Sequence, residues 1–213
     1  MKTRDRILRM ALALFNERGE TQVSLAQIAD RLGISEGNLW YHFRSKGDLV
    51  AALFAQLEAR IDDALAIRPE EVGPRLADFA ERARQSYRDM WDYRFLYRHR
   101  FDPREDGALA RRIADLIARA HRHTEAMLAE LVRRRLMQAT ASEISEVACN
   151  AWIIMRYWLD YLQERQGVAK IAEQDIQAGV GQLFALYRPY LTDAARAEAG
   201  AAEMQPKRKQ ARG

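Results

Sequence analysis

Apolar residues recur at the spacing of α-helices over almost the whole chain. In residues 2–18 they fall on one stripe, at Ile7, Met10, Ala11, Leu14 and Phe15. Comparable stripes occupy residues 45–65, 75–91, 107–137 and 142–165, and a last one ends near Tyr187. No segment alternates apolar and polar residues as a half-buried strand does. The sequence therefore predicts an all-α protein of about nine helices.

Local capping signals divide residues 24–48 into a helix, a turn, a second short helix and the start of a third. Signals for the start of a helix occur at Ser24 with Gln27, at Ser35, and at Ser45 with Asp48. Gly33 is a signal for the end of a helix. We expect the second helix to end near Phe43. A helix, a glycine-containing turn and a second helix form the helix-turn-helix pattern, whose second helix enters the DNA major groove.

The second of these helices carries four consecutive rings, from Trp40 to Phe43. One helix face cannot bury all four, and Phe43 can share an inward face with Leu39, four residues earlier. Trp40, Tyr41 and His42 should therefore be partly exposed, each with a polar tip that can donate a hydrogen bond.

Two further residues of this region suggest contact with another molecule. Gly37 lies inside the second helix, where glycine costs about 1 kcal/mol relative to alanine, so close approach to another surface would explain it. Lys46 lies in the first turn of the third helix, where a cation opposes the helix dipole. An anion such as a DNA phosphate at that terminus would account for the lysine.

The run IADRLGISEGNLWYHFRSKGDL, residues 28–49, resembles the DNA-binding signature of the TetR family of bacterial transcriptional regulators. The resemblance implies phosphate contacts from Tyr41, His42 and Lys46. It also places Glu36, Gly37 and Asn38 where the family approaches base edges. The candidate DNA-binding set is completed by Ser24, Ser35 and Trp40. Two positions differ from the usual pattern of the family. Trp40 lies where tyrosine is commoner, and Gly47 lies where a charged residue is common.

The predicted architecture is a three-helix, helix-turn-helix head on a larger helical body. We assign residues 1–47 to the DNA-binding head, with the helix-turn-helix at about 24–43, and residues 48–192 to effector binding and dimerisation. Residues 193–213 are basic and are expected to be a disordered tail.

The helix predicted at 142–165 is apolar nearly all round between Val147 and Leu162, so it needs cover on both sides. The resemblance implies a two-fold homodimer that packs the helices near 142–165 and 173–188 against their copies. Gly179 and Gly181 would then permit close approach between helices. The alternative is that these glycines are weak points near a frayed end.

The body contains many aromatic residues, some of which we expect to line an effector pocket. The candidate pocket residues are Trp91, Phe95, Trp152, Arg156 and Tyr157. Ordinary core and interface packing is the alternative for the rings, and a surface position or an ion pair is the alternative for Arg156.

Composition narrows the function further. No apolar run is long enough to span a bilayer. Cys149 is the single cysteine; we expect it to be buried, and a lone cysteine fits a reducing compartment. We therefore expect a soluble, cytoplasmic protein. The net charge of +4 gathers at the ends, with +2 in residues 1–50 and +3 in 196–213. Metal-binding, phosphate-binding and nucleophile motifs are missing, so we expect no enzyme, no cofactor and no metal site.

These observations favour a homodimeric regulator, in most cases of this type a repressor, that a small-molecule effector releases from a palindromic operator in double-stranded DNA. The alternative is an architectural or partner-regulated DNA-binding protein without an effector.

Overall fold

A computed structural model describes residues 2–98, 107–167 and 171–203 of the chain. Within these ranges it contains ten α-helices and no β-strand, which confirms the all-α prediction. The helices are α1 Thr3–Arg18, α2 Leu25–Leu32, α3 Glu36–His42, α4 Lys46–Leu65, α5 Leu76–Asp92, α6 Arg94–Arg98, α7 Gly107–Arg133, α8 Ala141–Gln166, α9 Glu173–Tyr187 and α10 Asp193–Glu203. No helix of the described ranges has both the length and the apolar character that a membrane crossing requires.

The helices form two compact units. Unit 1 comprises residues 1–66 and 88–117, and unit 2 comprises residues 67–87 and 118–213. Helices α5 and α7 each contribute residues to both units. The boundary predicted at residue 47 divides DNA binding from effector binding and dimerisation. It does not coincide with the division into the two packing units, and it stays a prediction.

The core of unit 1 fixes the position of α3. Ile7, Phe15, Ile28, Leu39 and Leu53 are all at most 1% exposed. The Phe15 ring also lies 5.2 Å from that of Phe95, between ring centroids. Helices that share this core hold their exposed faces in a defined orientation.

The caps of the head form as the sequence predicts. Ser24 with Gln27 and Ser45 with Asp48 each make both hydrogen bonds of a capping box. Gly33 ends α2 in the left-handed conformation, at φ 64° and ψ 35°, which a side chain would disfavour.

Unit 2 has its own core, which includes Leu76, Leu128, Val147, Leu191 and Ala195. Arg134 stabilises it by donating hydrogen bonds to the backbone carbonyls of residues 69, 70, 72 and 73 and to the Glu130 carboxylate. These bonds attach the segment before α5 to the end of α7.

Gly179 makes its close approach inside the chain. A Cβ at this position would lie 2.6 Å from Trp158 Cδ1 and 2.9 Å from Tyr87 Cζ, whereas one at Gly181 would meet nothing within 4 Å. The expectation that both glycines serve a dimer interface is therefore wrong for Gly179, whose missing side chain makes room for α8 and α5.

Two other expectations need correction. Residues 193–203 were expected to begin a disordered tail, but they form α10, because Ala195 is fully buried and Glu198 accepts a hydrogen bond from the Leu76 backbone N–H at 2.9 Å. Residues 204–213 lie outside the described residues. Cys149 was expected to be buried but is exposed on α8.

Candidate DNA-binding surface and effector site

Helix α3 presents almost all of its side chains to solvent. Leu39 is its one buried residue, and Phe43, the C-cap, is 3% exposed, so these two form the predicted inward face. Trp40 is 55% exposed and Tyr41 is 86% exposed. Large aromatic side chains this exposed are uncommon on a monomeric protein and mark a contact surface.

The first turn of α3 is also open to solvent, since Glu36, Gly37 and Asn38 are all exposed. A Cβ on Gly37 would meet only the Ser35 Oγ, at 4.0 Å. The described part of the chain therefore has room for a side chain at residue 37. Packing within it does not explain why this residue is a glycine.

Both capping serines near α3 retain a proton to donate. Ser24 Oγ accepts from the backbone N–H of Gln27 and Ser35 Oγ from that of Asn38, each at 3.2 Å. A hydroxyl is both a donor and an acceptor, so each serine could still donate to a phosphate oxygen.

The edge of this surface contains the His42 imidazole and a cation. His42 is half-buried, and the Tyr41 ring meets its imidazole edge-on, with centroids 5.2 Å apart. The guanidinium carbon of Arg4 lies 5.0 Å from the centre of the Phe43 ring. Arg4 thereby brings a positive charge close to the end of α3.

Lys46 is held by a residue that the sequence analysis did not identify. Its Nζ donates to the backbone carbonyl of Glu20 at 3.0 Å and lies 3.4 Å from Glu20 Oε1. The lysine side chain is 33% exposed, and its ammonium carries three donors. It can therefore keep the Glu20 carbonyl and still reach an anion.

The predicted effector residues fall into different units. Trp91 and Phe95 belong to unit 1, where Phe95 is 3% exposed in the core and the Arg94 guanidinium carbon lies 4.1 Å from the centre of the Trp91 ring. Phe95 therefore packs in the core, which was the alternative to a place in an effector pocket.

Trp152, Arg156 and Tyr157 lie on α8 in unit 2. Arg156 donates to Asp160 Oδ2 at 3.2 Å, and its guanidinium carbon lies 4.9 Å from the centre of the Tyr157 ring. Trp152 is half-buried and Tyr157 is 58% exposed. An ion pair within one helix thus engages Arg156, and a pocket lined by these residues stays a prediction.

The sequence matches two family models. The model described as bacterial regulatory proteins of the tetR family matches residues 7–53. The TetR model described as bacterial transcriptional repressor matches residues 56–199. Together they cover both the head and the body.

Among curated proteins, the chain is similar to the transcriptional regulator AcrR of Shigella flexneri, with 36% identity over 62 residues. The matched stretch spans 29% of this chain and 29% of that relative's length.

Solved structures extend the likeness to the whole fold. A TetR-family transcriptional regulator from Marinobacter aquaeolei is 29% identical, with a TM-score of 0.83 over 95% of this chain and 98% of that one. SmeT of Stenotrophomonas maltophilia, in its complex with triclosan, is 15% identical, with a TM-score of 0.69 over 97% of this chain and 99% of that one. The second likeness concerns the fold alone.

Proposed function

The chain belongs to the TetR family of bacterial transcriptional regulators, and from this premise we propose that it is a sequence-specific DNA-binding repressor. It binds a palindromic operator as a homodimer and is released by a small-molecule effector. The observation that carries the proposal is the exposure of Trp40 and Tyr41 on α3, a helix that contributes only Leu39 to the core. DNA lies in the bacterial cytoplasm, and we place the protein's action there.

In this proposal, α3 enters the major groove and its first turn reads the bases. Asn38 can pair with adenine through two hydrogen bonds, and Glu36 can accept from the amino group of cytosine. The missing side chain of Gly37 lets the helix backbone approach the base edges.

Phosphate contacts would surround the groove and fix the register of α3. Trp40, Tyr41, His42 and the two capping serines offer N–H and O–H donors, which suit phosphate oxygens. Lys46 adds a charge at the N-terminus of α4, a 20-residue helix whose dipole also favours an anion.

Dimerisation is supported by the exposed face of α8. Ile153, Tyr157 and Tyr161 are 49%, 58% and 46% exposed and recur every four residues, so they form one apolar stripe. Helix α9, which packs beside α8, exposes small residues at Ala178 and Ala185 and has open space at Gly181. A second copy can approach such a surface closely and cover the tyrosines.

Release by an effector would be an equilibrium between body conformations that hold the two heads at different spacings. The coupling in such systems is about 1–3 kcal/mol, a change of about 5- to 150-fold in operator affinity. SmeT, which shares the fold at low identity, was solved in complex with triclosan, and we propose a comparable small-molecule site in this chain.

Replacement of the exposed rings tests whether α3 is the DNA-binding element. In fluorescence anisotropy with a labelled mixed-sequence duplex at low salt, the variant Trp40→Ala/Tyr41→Ala should bind at least tenfold more weakly than the unmodified protein. The matched control is Ile67→Ala, which removes a 39% exposed apolar side chain from unit 2 and should leave the affinity unchanged. Unaltered binding by the double variant would assign DNA contact to another surface.

A further inference from the structure

Unit 2 contains a buried histidine nitrogen without a hydrogen bond. His123 lies on α7, and its Nε2 is shielded from solvent with no partner among the described residues. Buried polar atoms of folded proteins nearly always have a partner, so an exception calls for an explanation. A ligand that supplies the missing partner is one such explanation.

A second basic group acts on this imidazole. Burial lowers the pKa of His123, and the positive charge of Arg82, on α5, lowers it further. Arg82 is itself half-buried, and burial also lowers the pKa of its guanidinium. Two side chains that can carry positive charge are therefore placed near each other where water is partly excluded.

Nearby carboxylates on the same helices lie close to other basic side chains. Glu81 lies 2.9 Å from the Arg84 guanidinium, and Glu125 lies 3.6 Å from His121 Nε2. An anion that meets both His123 and Arg82 would supply the hydrogen-bond partner that His123 Nε2 lacks and would balance the charge of Arg82. A carboxylate suits this pair best, because its two oxygens can accept from a guanidinium and from an imidazole N–H together.

We propose that His123 and Arg82 form the anion-binding part of an effector site in unit 2 that takes a small organic carboxylate. The inference deepens the proposed function and rests on it, since it names the chemical class of the effector. It also shifts the polar contact of the effector away from Arg156, which already pairs with Asp160.

The test uses the full-length protein and two anionic probes, benzoate and octanoate, with benzamide and 1-octanol as their uncharged counterparts. Thermal unfolding is followed while each probe is titrated without DNA. A carboxylate at a hundredfold excess over its Kd should raise the melting temperature by about 5–10 °C. The uncharged compounds should raise it much less.

Variants locate the effect. His123→Gln and Arg82→Gln should each lose most of the carboxylate-dependent shift. His121→Gln and Arg122→Gln, changes at adjacent positions of α7, should retain it. Circular dichroism and the melting temperature without probe establish that each variant is folded. If one pocket variant fails to fold, the other still decides the result.

Three outcomes would overturn the inference: no shift with either carboxylate, an equal shift with the uncharged counterparts, or a carboxylate shift that survives both pocket substitutions. The proposed function fails by a different measurement, namely absence of DNA binding by the ligand-free protein. Both pocket variants should bind DNA normally without probe, so the two failures are distinguishable.

Discussion

The ammonium group of Lys46 lies 3.0 Å from the backbone carbonyl oxygen of Glu20 and 3.4 Å from its carboxylate. The 3-10 turn Glu20–Gln22 brings this acceptor to the start of α4. The contact holds a cation at a helix N-terminus, where the dipole would otherwise disfavour it. The lysine is thereby oriented before any DNA arrives.

Replacement of Lys46 by alanine should weaken binding to all DNA sequences alike. If the ammonium meets one phosphate, its loss should reduce the slope of log affinity against log salt by about 1. Anisotropy titrations at several salt concentrations measure that slope, and an unchanged slope would contradict the phosphate contact. Glu20→Gln is the companion variant: it keeps the carbonyl, removes the competing charge and should strengthen binding modestly.

Replacement of Asn38 by alanine should alter sequence preference more than overall affinity. A bidentate contact to a base contributes about 1–3 kcal/mol of discrimination, and the variant should lose it at one position of each half-site. Sequencing of the DNA that each protein selects from a random pool measures the change. Ile67→Ala, an exposed substitution in unit 2 away from α3, serves as control and should select the original motif.

Much of the head could be predicted from its sequence because its signals are local. Ser24, Gly33 and Ser45 act within four residues of themselves, and their caps form as predicted. The inward positions of Leu39 and Phe43 likewise follow from helical spacing. Local hydrogen bonds need no knowledge of the rest of the fold.

Long-range partners could not be predicted in this way. Glu20 and Lys46 are 26 residues apart, and neither position carries a pattern that names the other. The end of α7 was placed near Met137, but the helix ends at Arg133, and Arg135 has a φ of 60°. Backbone bonds from Gln138 to Tyr190 and from Thr192 to Leu136 determine the path there, and they depend on the tertiary fold.

Asn16 joins α1 to the turn between α5 and α6. Its Nδ2 donates to the carbonyl of Asp92 at 2.7 Å, and its Oδ1 accepts from the N–H of Phe95 at 3.1 Å. Asn16→Ala should lower the free energy of unfolding by about 1–2 kcal/mol, because both bonds are lost. Urea denaturation measures it. Asn16→Asp keeps only the hydrogen-bond acceptor, so its free energy of unfolding should lie between those of the original protein and of Asn16→Ala. If Asn16→Ala is as stable as the original protein, Asn16 does not stabilise unit 1 in this way.

The stability of unit 2 should fall as the pH drops below about 4.5 toward about 2. Hydrogen bonds from Arg133, and then from Arg134, lower the pKa of Glu130 to about 2 although burial opposes them. A folded-state pKa below the unfolded value of about 4.5 contributes stability that is complete above that value and is lost on acidification.

Glu130→Gln separates this carboxylate from the others. The variant should melt at a lower temperature than the original at pH 7, and the gap should narrow progressively as the pH falls toward 2. Thermal unfolding across that range measures the gap. A gap that stays constant with pH would show that the charge of Glu130 is not responsible.

Introduction of charge into the exposed stripe of α8 should separate the dimer. Ile153→Glu/Tyr157→Glu places two carboxylates where a second copy would cover apolar surface, and each buried charge without a partner is costly. Analytical ultracentrifugation should give a dimer for the original protein and a monomer for the variant. Ile67→Glu, the control at another exposed apolar residue, should remain dimeric. A dimeric double variant would place the interface elsewhere.

Selection of bound DNA from a random pool at two salt concentrations tests most directly the claim that this chain is a sequence-specific regulator. We predict recovery of a palindromic motif at both concentrations, bound by two copies of the chain, with half-sites about one helical turn or more apart. Binding without any recovered motif, lost at the higher salt, would contradict sequence-specific recognition and favour an architectural DNA-binding protein. No binding at either concentration would contradict DNA recognition by α3 altogether.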